Sequence, residues 1–140
     1  MNSRILAVDP GEKRLGIALS DPTATIASPL VVIKHVSRVV DAAQISQIAL
    51  DYDAIMIVVG QAMDLEGTPS PQGRSAARLA DEIKTQSELQ VELWDESGST
   101  QEARNARIAM GVQRRKRKGH LDDLAATVIL QSYLDAHGNF

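Results

Sequence analysis

The segment Ala54–Val59, which reads AIMIVV, constrains the fold more than any other part of this chain. It is apolar at every position, and this is typical of a central strand that is covered by helices on both faces. The segments Arg38–Leu50 before it and Gly73–Gln86 after it carry apolar residues at helical spacing. Helices on either side of a buried strand predict crossover connections to parallel neighbours. We expect Gly60 to end this strand.

Three short strands are predicted before this segment, and one strand and two helices are predicted after the second helix. The strands are Ile5–Asp9, Leu15–Ser20, Leu30–Val36 and Val91–Asp95. One helix begins at the capping box Ser99–Glu102 and ends near Met110. The last helix is indicated by an apolar stripe from Leu121 to Tyr133. The predicted order βββαβαβαα gives a five-stranded mixed α/β sheet with an antiparallel start and helices on both faces. We expect one domain over residues 1–140, since no linker or repeat interrupts it.

Composition excludes several classes of function. The chain has no cysteine, which excludes disulfides, zinc–thiolate sites and a thiol nucleophile. Aromatic residues make up only 3% of it, too few for a sheet on which nucleic-acid bases stack. The first residues do not read as a signal peptide, and no apolar stretch reaches membrane-spanning length. We therefore expect a cytoplasmic protein with no membrane partner.

Carboxylates end two of the predicted strands and begin the last helix. Asp9 ends the first strand, Asp95 and Glu96 end the last strand, and Asp122 lies in the first turn of the final helix. In sheets of this kind ligands bind beyond the carboxyl ends of parallel strands. Carboxylates gathered there repel one another by about 4 kcal/mol per pair at 4 Å in an effective dielectric near 20. A hard divalent cation, Mg²⁺ or Mn²⁺, removes that repulsion, so the pattern predicts a metal site.

Each of these carboxylates also has a structural interpretation. Asp9 stands before Pro-Gly, where aspartate commonly begins a turn. Asp122 can interact favourably with the dipole of its own helix. Asp95 and Glu96 can simply be solvated at a strand end, and because strand neighbours face opposite ways, the sequence leaves open which of the two is a ligand.

A basic run precedes the last helix in a chain whose net charge is −3. It consists of Arg114, Arg115, Lys116, Arg117 and Lys118. Such a run is either a solvated loop or a segment that contacts phosphates, and the run alone does not decide between them.

Three motifs together resemble one known family, the YqgF/RuvX family of pre-16S rRNA nucleases related to the RuvC Holliday-junction resolvases. The first motif is Asp9-x-Gly11-x-Lys13-Arg14-x-Gly16-Ile17-Ala18-x-Ser20-Asp21, the second is Asp64-x-Glu66-Gly67-Thr68, and the third is Asp122-x-x-Ala125-Ala126 after the basic run. The likeness covers essentially the whole chain.

The resemblance implies an RNase H-like fold and a divalent-metal-dependent nuclease that processes the 5′ end of pre-16S rRNA. Its catalytic metal ligands match Asp9, Asp122 and either Asp95 or Glu96, and analogy with the resolvases favours Asp95. Asp123 is either a fourth ligand or a bystander. We expect nucleic acid to be contacted by Lys13, Arg14, Thr68 and the basic run Arg114–Lys118.

One departure from the family pattern keeps other functions in consideration. Ser97 stands where the family usually has an arginine beside the acidic pair. A nucleic-acid-binding ribosome-assembly factor with weak or no catalysis is therefore one alternative. A resolvase acting on branched or single-stranded DNA is another, and it needs a homodimer rather than a monomer. Sugar kinases and actin-like ATPases share an Asp-x-Gly hairpin but close two such domains around ATP, and 140 residues supply only one.

Overall fold

The computed structural model describes residues 2–95 and 122–138, and their strands form one five-stranded mixed sheet. The strands are β1 (Ile5–Pro10), β2 (Arg14–Ser20), β3 (Ala27–Lys34), β4 (Met56–Gln61) and β5 (Gln90–Asp95), in the spatial order β3-β2-β1-β4-β5. The first three strands pair antiparallel, whereas β4 pairs parallel with both β1 and β5. This confirms the predicted mixed sheet and its antiparallel start. The helix predicted from Ser99 to Met110 lies outside the described residues.

Helices cover both faces of the sheet, as predicted. They are α1 (Arg38–Asp51), α2 (Pro71–Gln86) and α3 (Asp122–His137). Leu6 and Val8 of β1 belong to the core beneath α1 and α2, whereas Ile5 and Ala7 belong to the core beneath α3. Side chains along β1 therefore point alternately toward the two faces of the sheet.

Serine caps fix the beginnings of α1 and α2. The Ser37 hydroxyl accepts a hydrogen bond from the Val40 amide at 3.2 Å, and the Ser70 hydroxyl accepts one from the Gly73 amide at 3.1 Å. Pro71 is the first residue of α2, where its fixed φ suits a helix and its missing N–H is not needed. For this reason α2 begins two residues before the predicted Gly73.

The prediction of the third strand as Leu30–Val36 is wrong at both ends, because β3 spans Ala27–Lys34. Proline lacks the amide that a ladder hydrogen bond needs, yet Pro29 lies within β3 opposite Ala18. A register shift between Ile17 and Ala18 accommodates it, and β3 is an edge strand, where a missing amide is tolerated.

The expectation that Gly60 ends the fourth strand is also wrong. The strand β4 continues through Gly60, which pairs with Trp94, to Gln61, which pairs with Asp95. The parallel ladder to β5 satisfies the backbone of both residues, so the glycine does not interrupt it.

The helix α3 runs antiparallel to β1. The Gln131 side chain accepts from the Ala27 amide at 2.9 Å, and the Tyr133 hydroxyl lies against Met56. Ala27 and Met56 begin their strands at the end of the sheet remote from Asp9. The first residue of α3, Asp122, therefore lies toward the end of the sheet where β1 ends. Within the described part of the chain, no helix is long and apolar enough to cross a membrane.

Candidate active site

Asp9 lies near the end of β1, on the face of the sheet that α3 covers. It shares this face with Ile5 and Ala7 by alternation, and it pairs directly with Gly16 of β2. On the other side Val8 pairs with Val59, so Gly60 follows at the level of Asp9. Gly16 and Gly60 carry no side chains, so none from these two positions flanks the Asp9 carboxylate on this face.

A tight turn follows Asp9 and carries the first two predicted nucleic-acid contacts. The Gly11 amide donates to the Arg14 carbonyl at 2.9 Å, and a Cβ atom at Gly11 would lie only 2.5 Å from that oxygen. The turn therefore requires glycine at this position. Lys13 and Arg14 are both exposed on it, beside the strand that ends in Asp9.

The structure describes some of the other predicted metal ligands and not others. Asp122 is the first residue of α3 and lies toward the Asp9 end of the sheet. Glu96 and the basic run Arg114–Lys118 lie outside the described residues. Among the side chains that the structure describes, no three acidic or histidine groups gather into a metal site.

Asp95 lies on the opposite face of the sheet from Asp9. Two neighbours in β5 face α3, since Glu92 accepts from the Tyr133 hydroxyl at 2.6 Å and Trp94 donates to the Ser132 hydroxyl at 3.2 Å. Asp95 follows Trp94 and pairs with Gln61, whose amide donates to a carbonyl of α2. Alternation therefore points the Asp95 side chain toward α1 and α2.

Thr68 organises the loop between β4 and α2. Its hydroxyl and its amide donate to the two carboxylate oxygens of Asp64 at 2.5 and 3.0 Å, and the Glu66 amide also donates to Asp64. These hydrogen bonds, that of the Thr68 hydroxyl above all, lower the pKa of Asp64 below its usual value. Gly67 adopts a φ of 83° in this loop, which favours glycine. The loop follows the end of β4, at the same edge of the sheet as Asp9.

Sequence reasoning missed a second polar cluster near this edge. Asp41 of α1 is only 2% exposed, accepts from the Val36 amide at 3.0 Å and contacts Nδ1 of His35. In the sequence, Asp41 reads as an ordinary acidic residue in the first turns of a helix. The sequence signal that could have revealed this cluster is His35, which stands two residues before the capping residue Ser37 and six residues before Asp41.

Comparison with known proteins identifies the family. The RuvX family model, described as Holliday junction resolvase, matches residues 3–136. A protein of Thermoanaerobacter pseudethanolicus named "Putative pre-16S rRNA nuclease" is 40% identical over 137 residues, covering 97% of this chain and 99% of its own. A protein of the same name from Caldanaerobacter subterraneus is 36% identical, again over 97% of this chain and 99% of its own.

Solved structures show the same fold at low sequence identity. Thermus thermophilus RuvC in complex with a Holliday junction superposes with a TM-score of 0.62 and 15% identity, covering 96% of this chain and 94% of RuvC. The fowlpox virus Holliday junction resolvase superposes with a TM-score of 0.57 and 18% identity, covering 95% and 99%. The fold is therefore the RuvC-like RNase H fold that the resemblance implied. With a family model matched over nearly its whole length, this chain belongs to the RuvX family.

Proposed function

We propose that this protein is a divalent-metal-dependent nuclease that hydrolyses phosphodiesters in RNA and processes the 5′ end of pre-16S rRNA in the cytoplasm. One observation carries the proposal. Asp9 lies between two glycines, Gly16 and Gly60, at the edge of the sheet toward which α3 begins with Asp122. The names of the relatives that cover nearly the whole chain support RNA as the substrate.

The residues at this edge suit a hard divalent ion. Carboxylate oxygens are the donors that Mg²⁺ and Mn²⁺ prefer, and the chain has no cysteine to favour a softer metal. The glycines beside Asp9 carry no side chain that would keep a phosphate from approaching the backbone closely. We propose that Asp9 and Asp122 bind the metal together with one carboxylate that follows β5.

The alternation of β5 argues against Asp95 as this carboxylate, which leaves Glu96 of the two candidates that the sequence offers. Asp95 points toward α1 and α2, whereas the metal site proposed here lies on the α3 face with Asp9. We therefore expect Glu96→Gln to abolish cleavage and Asp95→Asn to retain it. Measuring single-turnover cleavage rates of both variants under the same metal conditions checks this. Loss of cleavage in Asp95→Asn alone would assign the ligand to Asp95 instead.

The chain's own contribution to the reaction is positioning. A divalent ion held by these carboxylates would activate the attacking water and stabilise the leaving oxygen. Asp9 is paired with Gly16, and the preceding residue Val8 is paired with Val59 on the other side, so the strand fixes the backbone point from which the carboxylate projects. Lys13 and Arg14 stand on the adjoining turn, where they can contact phosphates without reading sequence.

Cleavage of two labelled substrates tests the proposal. One is a 5′-extended rRNA precursor fragment and the other is a four-way DNA junction, each incubated with Mg²⁺, Mn²⁺ or EDTA. We expect metal-dependent cleavage of the RNA by the wild type and none by Asp9→Asn, whose unchanged circular dichroism spectrum controls for folding. Cleavage by Asp9→Asn at the wild-type rate contradicts the mechanism.

The same experiment separates the remaining alternatives. Preference for the junction favours a resolvase, which the description of the matching family model supports, and a resolvase acts as a dimer on two strands. Binding without cleavage under every metal condition favours the assembly factor, for which Ser97 in place of the family's arginine is the motivating observation. Sedimentation then distinguishes a monomer from a homodimer.

A further inference from the structure

Two cavities meet at the turn between β1 and β2. One has a volume of about 510 Å³ and is enclosed by this turn and by the first turns of α1 and α2. The other has a volume of about 580 Å³ and lies between the turn and the end of β3. Glu12 and His35 line both cavities, so the two cavities adjoin at this turn. We call the two cavities together the rim groove; its charged and ionisable residues are Glu12, Lys13, Arg14, Lys34, His35, Arg38 and Asp41.

The rim groove is positively charged although the chain as a whole is acidic. Its four lysines and arginines face two carboxylates, a local balance of +2 in a chain of net charge −3. Arg14 and Lys34 pair directly across the β2–β3 ladder, so two like charges stand side by side. This favours an anionic ligand.

A buried carboxylate fixes the one imidazole in the rim groove. Asp41 is 2% exposed and contacts Nδ1 of His35, while the His35 backbone amide donates to the Lys13 carbonyl at 2.9 Å. His35 is thus attached at two points, to the turn and to α1.

The rim groove passes from the Asp9 face of the sheet to the other face. Arg14 lies two residues before Gly16, the partner of Asp9, so Arg14 and its neighbour Lys34 belong to the Asp9 face. Arg38 lies at the start of α1, on the opposite face. The cations therefore form a path that starts beside the candidate active site and leads around the edge of the sheet.

We infer that the rim groove binds the sugar–phosphate backbone of a single nucleic-acid strand extending from the Asp9 edge, with Lys34 and Arg38 as phosphate contacts and His35 as part of its wall. The inference rests on the proposed function in taking nucleic acid as the ligand. Each cavity has the volume of a small-molecule site, which suits one or two nucleotides and is too small for a duplex. Leu15 and Leu79 give the cavity between the turn, α1 and α2 an apolar floor for a sugar or base.

The salt dependence of binding tests this inference. Affinity for a fluorescein-labelled single-stranded RNA, and for DNA of the same sequence, is measured by anisotropy over a KCl series in EDTA. All proteins carry Asp9→Asn, so that cleavage does not interfere. The test variant adds Lys34→Gln and Arg38→Gln. The control adds Arg78→Gln and Lys84→Gln, which remove two exposed cations of α2 that do not line the groove.

Loss of two phosphate contacts reduces the log–log salt slope by about 1.4, since each contact on a single strand contributes about 0.7. Extrapolated to 0.1 M salt, this weakens binding by about 25-fold. We expect this change in the test variant and a much smaller one in the control. Equal slopes in the two variants overturn the inference, whatever the wild type cleaves. A slope change without wild-type cleavage of any substrate supports the groove and contradicts the proposed nuclease.

A cross-linking experiment locates the strand independently. The chain has no cysteine, so a single introduced cysteine can carry a photoactivatable label. Gln72→Cys places the label on the wall of the cavity between the turn, α1 and α2, and Gln47→Cys places it on an exposed position of α1 outside the groove. We expect cross-links to the single strand from position 72 and not from position 47. Cross-links of equal yield from both positions overturn the inference.

Discussion

Replacing Gly73 by alanine gives the sharpest test of how the loop before α2 is held. Gly73 is the third residue of this helix. In a helix alanine is favoured over glycine by about 1 kcal/mol, because it loses less backbone entropy. Sequence reasoning alone therefore predicts that Gly73→Ala raises the free energy of unfolding.

The packing around Gly73 predicts the opposite sign. A Cβ atom there would lie 2.1 Å from the Ala62 carbonyl oxygen and 3.2 Å from the Gln61 side chain. The same oxygen accepts from the amide and the hydroxyl of Ser70, both at 3.1 Å, and the Gln61 amide donates to the Gly73 carbonyl at 3.1 Å. The start of α2 must therefore move by about 1 Å to admit the methyl group, which strains all three hydrogen bonds.

The net effect follows from the two terms. Overpacking of a close contact together with weakened buried hydrogen bonds costs about 2–4 kcal/mol. Better helix propensity offsets about 1 kcal/mol of this. We expect Gly73→Ala to lower the free energy of unfolding by about 1–3 kcal/mol.

Urea unfolding followed by circular dichroism at the helix band measures this difference. Ser75→Ala is the matched control, because Ser75 is exposed in the same helix two residues further on, and its change improves only the propensity. The control should be as stable as the wild type or slightly more stable. A Gly73→Ala protein at least as stable as the wild type would refute the packing argument.

Two further predictions concern pH. Hydrogen bonds from the Ile26 amide, then from Thr23, hold the pKa of Asp21 far below its usual value, so Asp21→Ala should lower the free energy of unfolding at pH 7 by about 1 kcal/mol. This loss of stability is complete above the unfolded-state pKa near 3.9 and shrinks as the pH falls below it. Urea titrations at pH 7, 4 and 3 measure the difference. Burial, and then the hydrogen bond to Glu92, raise the pKa of Tyr133, so Tyr133→Phe should lower the free energy of unfolding by about 1 kcal/mol at neutral pH. The difference in unfolding free energy from the wild type should narrow as the pH rises above about 10, which the same urea assay measures.

Most of the sheet could be predicted from the chain because its signals are local. The apolar run Ala54–Val59 overlaps β4, which begins two residues later at Met56, and the paired short strands around Pro10-Gly11 are found as β1 and β2. The errors fall at the ends of elements, among them Gly60 and Pro29, where intrinsic preference argues against a strand. Pairing with β5 keeps Gly60 within the ladder, and a register shift on the edge strand β3 accommodates Pro29. Neither partner is visible from the residues themselves.

The amino-acid sequence by itself determined the order of the elements, the position of Asp9 at the end of a buried strand and the motifs shared with the RuvX family. These depend on spacing along the chain. Only the tertiary structure decided that Asp95 faces away from Asp9, that Gly60 lies beside Asp9, and that Asp41 holds His35 at the rim groove. Each of these depends on strand register or helix packing, which brings together residues that sequence spacing cannot pair.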